Sequence, residues 1–180
     1  MELPRLLRQI IEWEKSVEGR LPEWAKPSGM YLGVLGNGDG GYQCTPERSI
    51  TFGTTGMDGI HFAWIAEREG GADLNEAPVI CVSPMDFDNC VRLVARNLRD
   101  FFSLVFHGHD LLLLNDFANR EHYEKALREQ ERNDARSSYL QQWGEETRKL
   151  ELEARERFGL APIPDPYGYM QKIRSEIGLP

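Results

Sequence analysis

The fold is decided by Thr51-Phe-Gly-Thr-Thr-Gly-Met-Asp-Gly-Ile-His-Phe-Ala-Trp64 and by the later Ala77-Pro-Val-Ile-Cys-Val-Ser-Pro-Met-Asp-Phe87. Apolar alternation begins at Ile50, stops over three glycines between positions 53 and 59, and resumes at Ile60. Alternation on both sides of a glycine-rich break is typical of a β-hairpin with a strongly bent connection. The second stretch predicts a further strand. These are features of a scaffold, and they name no reaction.

The pattern outward from this hairpin predicts helices on both sides of a group of strands. Apolar residues at helical spacing predict an amphipathic helix over 3–17. Strands are predicted at 30–35, 49–53, 60–66 and 78–83. The segment 88–106 returns to a 3.6-residue period, which predicts a helix capped by Asp88 or Asn89, with Leu98, Phe101 and Val105 buried against the sheet.

The last third of the chain differs from the rest in composition. Residues 119–157 carry many charges of both signs, which predicts peripheral, solvated helices supported by i,i+4 pairs. The prolines of 161–166 indicate a stiff linker, and 167–177 predicts a short docking helix that uses Tyr169, Ile173 and Ile177. We therefore expect a core domain over 1–118 and a charged helical extension over 119–180 that packs on the same domain.

The composition favours a cytoplasmic protein without a membrane span. No apolar run approaches the roughly 20 residues of a membrane helix, and the start of the chain lacks the pattern of a signal peptide. The three cysteines, Cys44, Cys81 and Cys90, have no metal-ligand spacing, and Cys81 lies in an apolar strand. A reducing compartment is the expectation.

Negative charge is concentrated in the strand region. Of the net charge of −8, six units fall in 51–118, which holds four basic and ten acidic residues. Such a surface disfavours nucleic acid and anionic lipid and favours a basic protein partner. Ordinary solubilising charge is the competing interpretation. The predicted partner-binding residues near turns are Asp58, Asp73, Glu76, Asp86 and Asp88.

Two glycine-rich motifs are better read as turns than as ligand sites. The run 53–59 lacks the Lys-Ser/Thr ending of a P-loop and the glycine spacing of a dinucleotide fingerprint. The run 37–41 resembles part of a calcium loop, but no glutamate follows at the required position. No cofactor is predicted.

Histidines and arginines offer chemistry, with a simpler explanation beside each. His107, His109 and Asp110 suit three ligands of one metal, but His107 and Gly108 also suit the C-terminal cap of the preceding helix, which we favour. His61 is a candidate general base, oriented by Asp58 or another acid.

The arginines at positions 92, 96 and 99 form one stripe if 88–106 is a helix. Such a stripe suits either the binding of carboxylates or phosphates or, as we favour, a solvated face paired with Asp100 and other local acids.

The chain resembles the central part of the SUKH superfamily. The resemblance rests on Ser49-Ile-Thr-Phe-Gly-Thr-Thr-Gly-Met-Asp-Gly-Ile-His-Phe62, on Ala77-Pro-Val-Ile-Cys-Val-Ser-Pro84 and on the segment 91–102. It implies an α+β fold with a mostly antiparallel sheet of about four or more strands, flanked by helices. Met57 stands where another glycine is expected, and the charged segment 119–157 is longer than a minimal member needs.

The resemblance also implies a binding function. Many bacterial members resemble immunity proteins that neutralise a co-encoded toxin, and fungal relatives act as cell-wall or signalling regulators. A non-enzymatic module that binds a toxin, without a metal or cofactor, is the prediction. The alternatives are a regulator of the same superfamily and a metal-dependent hydrolase that uses His61, His107 and His109.

Overall fold

The computed structural model describes residues 2–37, 42–66, 73–116 and 119–177. Their elements follow in the order α1 (Arg5–Ser16), β1 (Tyr31–Asn37), β2 (Ser49–Thr54), β3 (His61–Ile65), β4 (Val79–Val82), β5 (Val91–Ala95), α2 (Leu98–Phe106), α3 (Leu113–Asp116), α4 (Arg120–Asp134), α5 (Ser138–Phe158) and α6 (Pro166–Glu176). The predicted opening helix and four strands are confirmed to within a few residues. Most of the glycine-rich turn at 37–41 lies outside the described residues.

The five strands form one antiparallel sheet in the order β1-β2-β3-β4-β5, so each strand pairs with its neighbours in sequence. This arrangement is a β-meander, in which successive hairpin loops lie at alternate ends of the sheet. The helices lie before and after the strands in sequence. The protein therefore has the predicted α+β fold with an antiparallel sheet.

The core between the sheet and α2 is aromatic. Phe101 is fully buried, and its ring lies 5.4 Å from Phe52 of β2 and 5.1 Å from Phe62 of β3, measured between centroids. Leu98 is also fully buried, as predicted, and Val105 is half-buried. Since Phe52 and Phe62 point towards α2, alternation along β3 places His61 and Ala63 on the other face of the sheet.

The predicted helix over 88–106 is wrong in its first half. Residues 91–95 form β5, and α2 begins only at Leu98, where the side chain of Asn97 accepts the N–H of Asp100. Neither Asp88 nor Asn89 is the N-cap. The two periods are hard to separate here because β5 is buried on both faces and so shows apolar residues without strict alternation.

The charged segment contains core residues as well as peripheral ones. In α4 the side chain of Tyr123 is buried, and in α5 Leu150 and Ala154 are fully buried. Helix α5 is fixed to α1 by a hydrogen bond of 2.8 Å from Trp13 Nε1 to Glu153 Oε1. The description of these helices as only peripheral is therefore wrong for α5.

The C-terminal helix docks as predicted, with one change in the residues used. Ile173 is fully buried and Ile177 is half-buried, while Tyr169 acts mainly through its hydroxyl, which donates to Asp100 Oδ2 and accepts the backbone N–H of Arg96, both at 2.8 Å. Helix α6 thus contacts the end of β5 and the start of α2. No described helix is both long enough and apolar enough to cross a membrane.

Candidate functional site

Large apolar side chains, which folded proteins usually bury, are exposed at one end of the sheet. Register pairing aligns Tyr31, Thr54, His61, Val82 and Val91 across this end. The hairpin loops 55–60 and 83–90 extend from it, and so does the segment that leads into β1. The meander therefore brings residues that are far apart in sequence to the same end of the sheet.

Six of the seven large apolar side chains that are exposed in the described residues lie at or beside this end. They are Trp24, Tyr31, Tyr42, Met57, Met85 and Phe87, and Phe87 is 85% exposed. The seventh, Leu152, lies on α5. Exposed apolar groups gathered in one place mark interaction sites far more often than scattered ones do. We call these six residues, with Asp58, Asp86 and Asp88, the hairpin-end surface.

Close contacts join the part of the hairpin-end surface that lies around the β2–β3 loop. The hydroxyl of Tyr31 donates to the carbonyl of Trp24 at 3.3 Å, and a Cβ added at Gly56 would lie 2.9 Å from the Tyr31 ring. A Cβ at Gly59 would overlap the ring of Tyr42. These close approaches explain why glycine occupies both positions, and they hold the two tyrosines against the β2–β3 loop.

The tip of that loop is a tight turn. The N–H of Ile60 donates to the carbonyl of Met57 at 3.0 Å, and the two central residues, Asp58 and Gly59, have φ of 51° and 71°. Two positive φ angles are the mark of a type I′ hairpin turn, which an Asp-Gly pair favours. The turn leaves the Met57 side chain 69% exposed beside the carboxylate of Asp58.

The five predicted partner-binding acids do not form one surface. Asp58, Asp86 and Asp88 belong to the loops of the hairpin-end surface, whereas Asp73 and Glu76 lie in the β3–β4 connection, at the opposite end of the sheet. At that other end Asp73 accepts the backbone N–H of Asn75 at 2.9 Å, and this hydrogen bond holds the pKa of Asp73 below its usual value.

Asp86 has a structural contact that Asp58 and Asp88 lack among the described residues. Its Oδ2 accepts a hydrogen bond from Arg92 Nη2, and the Arg92 side chain is only 9% exposed. This ion pair joins Asp86 of the β4–β5 loop to Arg92 of β5, in a place where the guanidinium is largely removed from water. Asp86 therefore stabilises the β4–β5 hairpin, and Asp58 and Asp88 are the freer charges of this surface.

His61 is held in a buried position. Its Nδ1 lies 2.8 Å from the carbonyl oxygen of Gly59, which can only accept, so Nδ1 carries the proton. In the neutral ring, Nε2 then accepts from the Thr45 hydroxyl at 3.1 Å. Asp58 is not its partner, contrary to the prediction. Both ring nitrogens are engaged, and the side chain is 4% exposed, so the geometry does not resemble that of an accessible general base.

The residues at the end of α2 have the predicted capping geometry. His107 is the C-cap and bonds the Ser103 carbonyl through Nδ1 at 2.7 Å, and Gly108 has φ of 73°. The carboxylate of Asp110 accepts the N–H groups of Leu112 and Leu113 at 2.8 and 3.0 Å. Within the described residues, no three His, Cys, Asp or Glu side chains are grouped as metal ligands.

The arginine stripe predicted along 88–106 does not exist, because Arg92 lies on β5 and Arg99 on α2. Arg96 bonds Glu176 of α6, and Arg99 donates to the carbonyls of Phe158 and Gly159 at the end of α5. Local acids or a ligand were the expected partners of the three arginines, and Arg92 does pair with the nearby Asp86. Arg96 and Arg99 instead hold α6 and α5, respectively, onto the sheet domain.

The apolar part of the hairpin-end surface was not predicted from the sequence. Met57, Met85 and Phe87 stand in polar, glycine- or proline-containing loops, and this was the available signal, because an apolar residue in a turn has no core to enter. No protein-family model, curated protein or solved structure matches this chain significantly. The SUKH resemblance therefore stays a hypothesis.

Proposed function

We propose that this protein is a cytoplasmic protein-binding module that holds a basic partner protein on the hairpin-end surface. The observation that carries the proposal is the gathering of exposed apolar side chains and carboxylates at one end of an otherwise well-packed sheet. Apolar side chains at the centre of an interface supply most of the affinity. Charges near its rim mainly raise the association rate and select the partner.

Phe87 is the first candidate for an anchor. Its side chain is 85% exposed, and burying an aromatic side chain of this size contributes roughly 1.5–3 kcal/mol. Met57 and Met85 lie on the same surface, and the flexible thioether of methionine adapts to partners of different shape. Asp58 and Asp88 supply negative charge beside these groups, which disfavours nucleic acid and favours lysines and arginines.

The resemblance to the SUKH superfamily supports a partner class. An immunity protein that neutralises a co-encoded toxin needs such a surface, and many toxins that act on nucleic acid are basic. A regulator of the same superfamily needs the same kind of surface and differs in its partner. Binding of a toxin is the function we favour, because negative charge lies next to the exposed apolar groups.

The test is co-expression with the product of the neighbouring gene, followed by association and dissociation kinetics. We expect Phe87→Ser to speed dissociation by at least tenfold, which corresponds to about 1.4 kcal/mol. Leu152→Ser is the matched control, since Leu152 is also exposed but lies on α5. It should leave both rates unchanged. Equal effects of the two substitutions would contradict the assignment of this surface.

A second pair of variants tests the charges. Asp88→Lys should slow association, and rising salt should shrink its difference from the parent, because screening weakens exposed charges. Glu76→Lys, at the other end of the sheet, is the control. Asp86 is unsuitable because of its contact with Arg92. If Glu76→Lys slows association and Asp88→Lys does not, the binding surface lies at the opposite end of the sheet.

A further inference from the structure

A cavity of about 440 Å³ lies between the segment leading into β1, the end of α2, and helices α4 and α5. Its volume is within the usual range of small-molecule sites, about 300–1,000 Å³. Apolar walls come from Met30, Phe62, Val105 and Leu111. Its lining shares no residue with the hairpin-end surface.

The main polar group of this cavity is Glu151 of α5. Its half-buried carboxylate has no side-chain hydrogen bond or salt bridge with any described residue. Burial raises the pKa of Glu151, although the charges of Arg155 and Arg148 act in the opposite direction. A carboxylate that is partly desolvated and has no hydrogen-bond partner is costly in the empty protein, and a bound donor removes that cost.

Two further acceptors line the same cavity. The Thr147 hydroxyl donates to the carbonyl of Trp143 at 3.0 Å, so the Tyr139 hydroxyl, 3.2 Å away, must donate to Thr147. The oxygen of Tyr139 is then left with acceptor capacity only. Burial lowers the pKa of His109, and the like charge of His107 adds to this effect, so the His109 ring is neutral at pH 7 and offers one acceptor nitrogen.

The remaining charged groups of the lining already have partners. Asp110 accepts two backbone N–H groups and the side-chain amide of Gln130. Lys26 lies 3.7 Å from the carboxylate of Glu18. Glu151, Tyr139 and His109 thus present acceptor capacity that no described side chain of the lining uses, beside an apolar wall.

From this arrangement we infer that the cavity binds a small organic cation with a primary ammonium group and an apolar body. An ammonium carries three N–H donors, which match Glu151, Tyr139 and His109. Its apolar part packs on Phe62 and Val105. A neutral alcohol of the same shape forms weaker hydrogen bonds with the carboxylate, and an anion is repelled by it.

The test is calorimetric titration with 4-phenylbutylamine, 4-phenylbutanol and 4-phenylbutyrate at millimolar concentrations. The amine should bind roughly tenfold or more tightly than the alcohol, as expected for a charge-assisted hydrogen bond. Glu151→Gln should remove this difference. The control is Glu145→Gln, on the same helix but paired with Lys149 outside the cavity, and it should bind all three compounds like the parent.

Val105→Phe places a ring in the cavity and should abolish binding of the amine, with folding checked by circular dichroism. Binding of the amine that survives in Val105→Phe, equal binding of amine and alcohol in the parent protein, or no binding of any of the three compounds would each overturn the proposal.

The pH dependence provides a separate check. The amine stays protonated across the acid range, so affinity should fall as pH falls through the raised pKa of Glu151, which loses its charge. Protonation of His109, whose pKa is lowered by burial, adds positive charge and acts in the same direction. The other titratable groups near the cavity or Glu151 are Lys26, His107, Asp110, Arg148 and Arg155. Affinity of the amine that is constant or rises on acidification would contradict the role of Glu151.

Discussion

Substitution of Phe101 by alanine tests the packing of α2 on the sheet. The ring is fully buried and lies 5.1–5.4 Å from three other aromatic rings, those of Phe52, Phe62 and Phe102. Truncation of a buried Phe costs about 3–5 kcal/mol, since it leaves a cavity. Each aromatic pair contributes roughly 0.5–1.5 kcal/mol beyond burial of area. We therefore expect a loss of about 5 kcal/mol, towards the upper end of the range for one such truncation.

Urea denaturation followed by circular dichroism measures this loss as a change in the unfolding free energy. A loss of this size is a large fraction of the 5–15 kcal/mol that stabilises most domains, so Phe101→Ala should be only marginally folded. Phe87→Ala is the matched control, because Phe87 is 85% exposed. It should change stability by less than about 0.5 kcal/mol. Equal losses for the two substitutions would refute the placement of α2 over β2 and β3.

Three further substitutions probe other contacts. Gly59→Ala should destabilise the protein more than Gly108→Ala in urea denaturation, because both have positive φ but only at Gly59 does a Cβ overlap another residue; equal losses would contradict the close approach. Tyr169→Phe should cost about 0.5–1.5 kcal/mol, since it removes the hydroxyl that bonds the exposed N–H of Arg96 and the carboxylate of Asp100; no loss would argue against docking of α6. Glu153→Gln should lower stability at neutral pH, with a difference that disappears as pH falls below 4.5, because hydrogen bonds from Trp13 and Arg20 lower the pKa of Glu153 from that value. A difference that persists in acid would contradict this.

Local sequence patterns were sufficient where an element has one buried face, as α1 does, or is bounded by prolines, as β4 is by Pro78 and Pro84. The helix α1 buries Leu6, Leu7, Ile10 and Trp13 at helical spacing, so its period is visible in the sequence. The same patterns failed at β5 and α2. Residues 91–95 are buried on nearly every side, and a strand of this kind has the same apolar density as a helix.

The candidate site was predicted only in part. The acidic residues near turns were predicted from the sequence. The net charge of residues 51–118 does not indicate which of their loops lie at the same end of the sheet. That depends on the direction of each strand, so Asp58 and Asp88 lie at one end and Glu76 at the other. The apolar members of the hairpin-end surface were not predicted, because only the strand directions place the segment before β1 and the β4–β5 loop at the same end of the sheet.

The sequence by itself determined the α+β class, the positions of α1 and of β1 to β4, and the glycine-rich β2–β3 turn, because each depends on neighbours within a few residues. Tertiary structure alone decided the partners of the arginines, the burial of His61 and the cavity beside Glu151. Each of these depends on groups far apart in sequence, such as Arg99 and the carbonyl of Phe158. Packing brings such groups within hydrogen-bond distance, and the residues next to each group in sequence do not predict that contact.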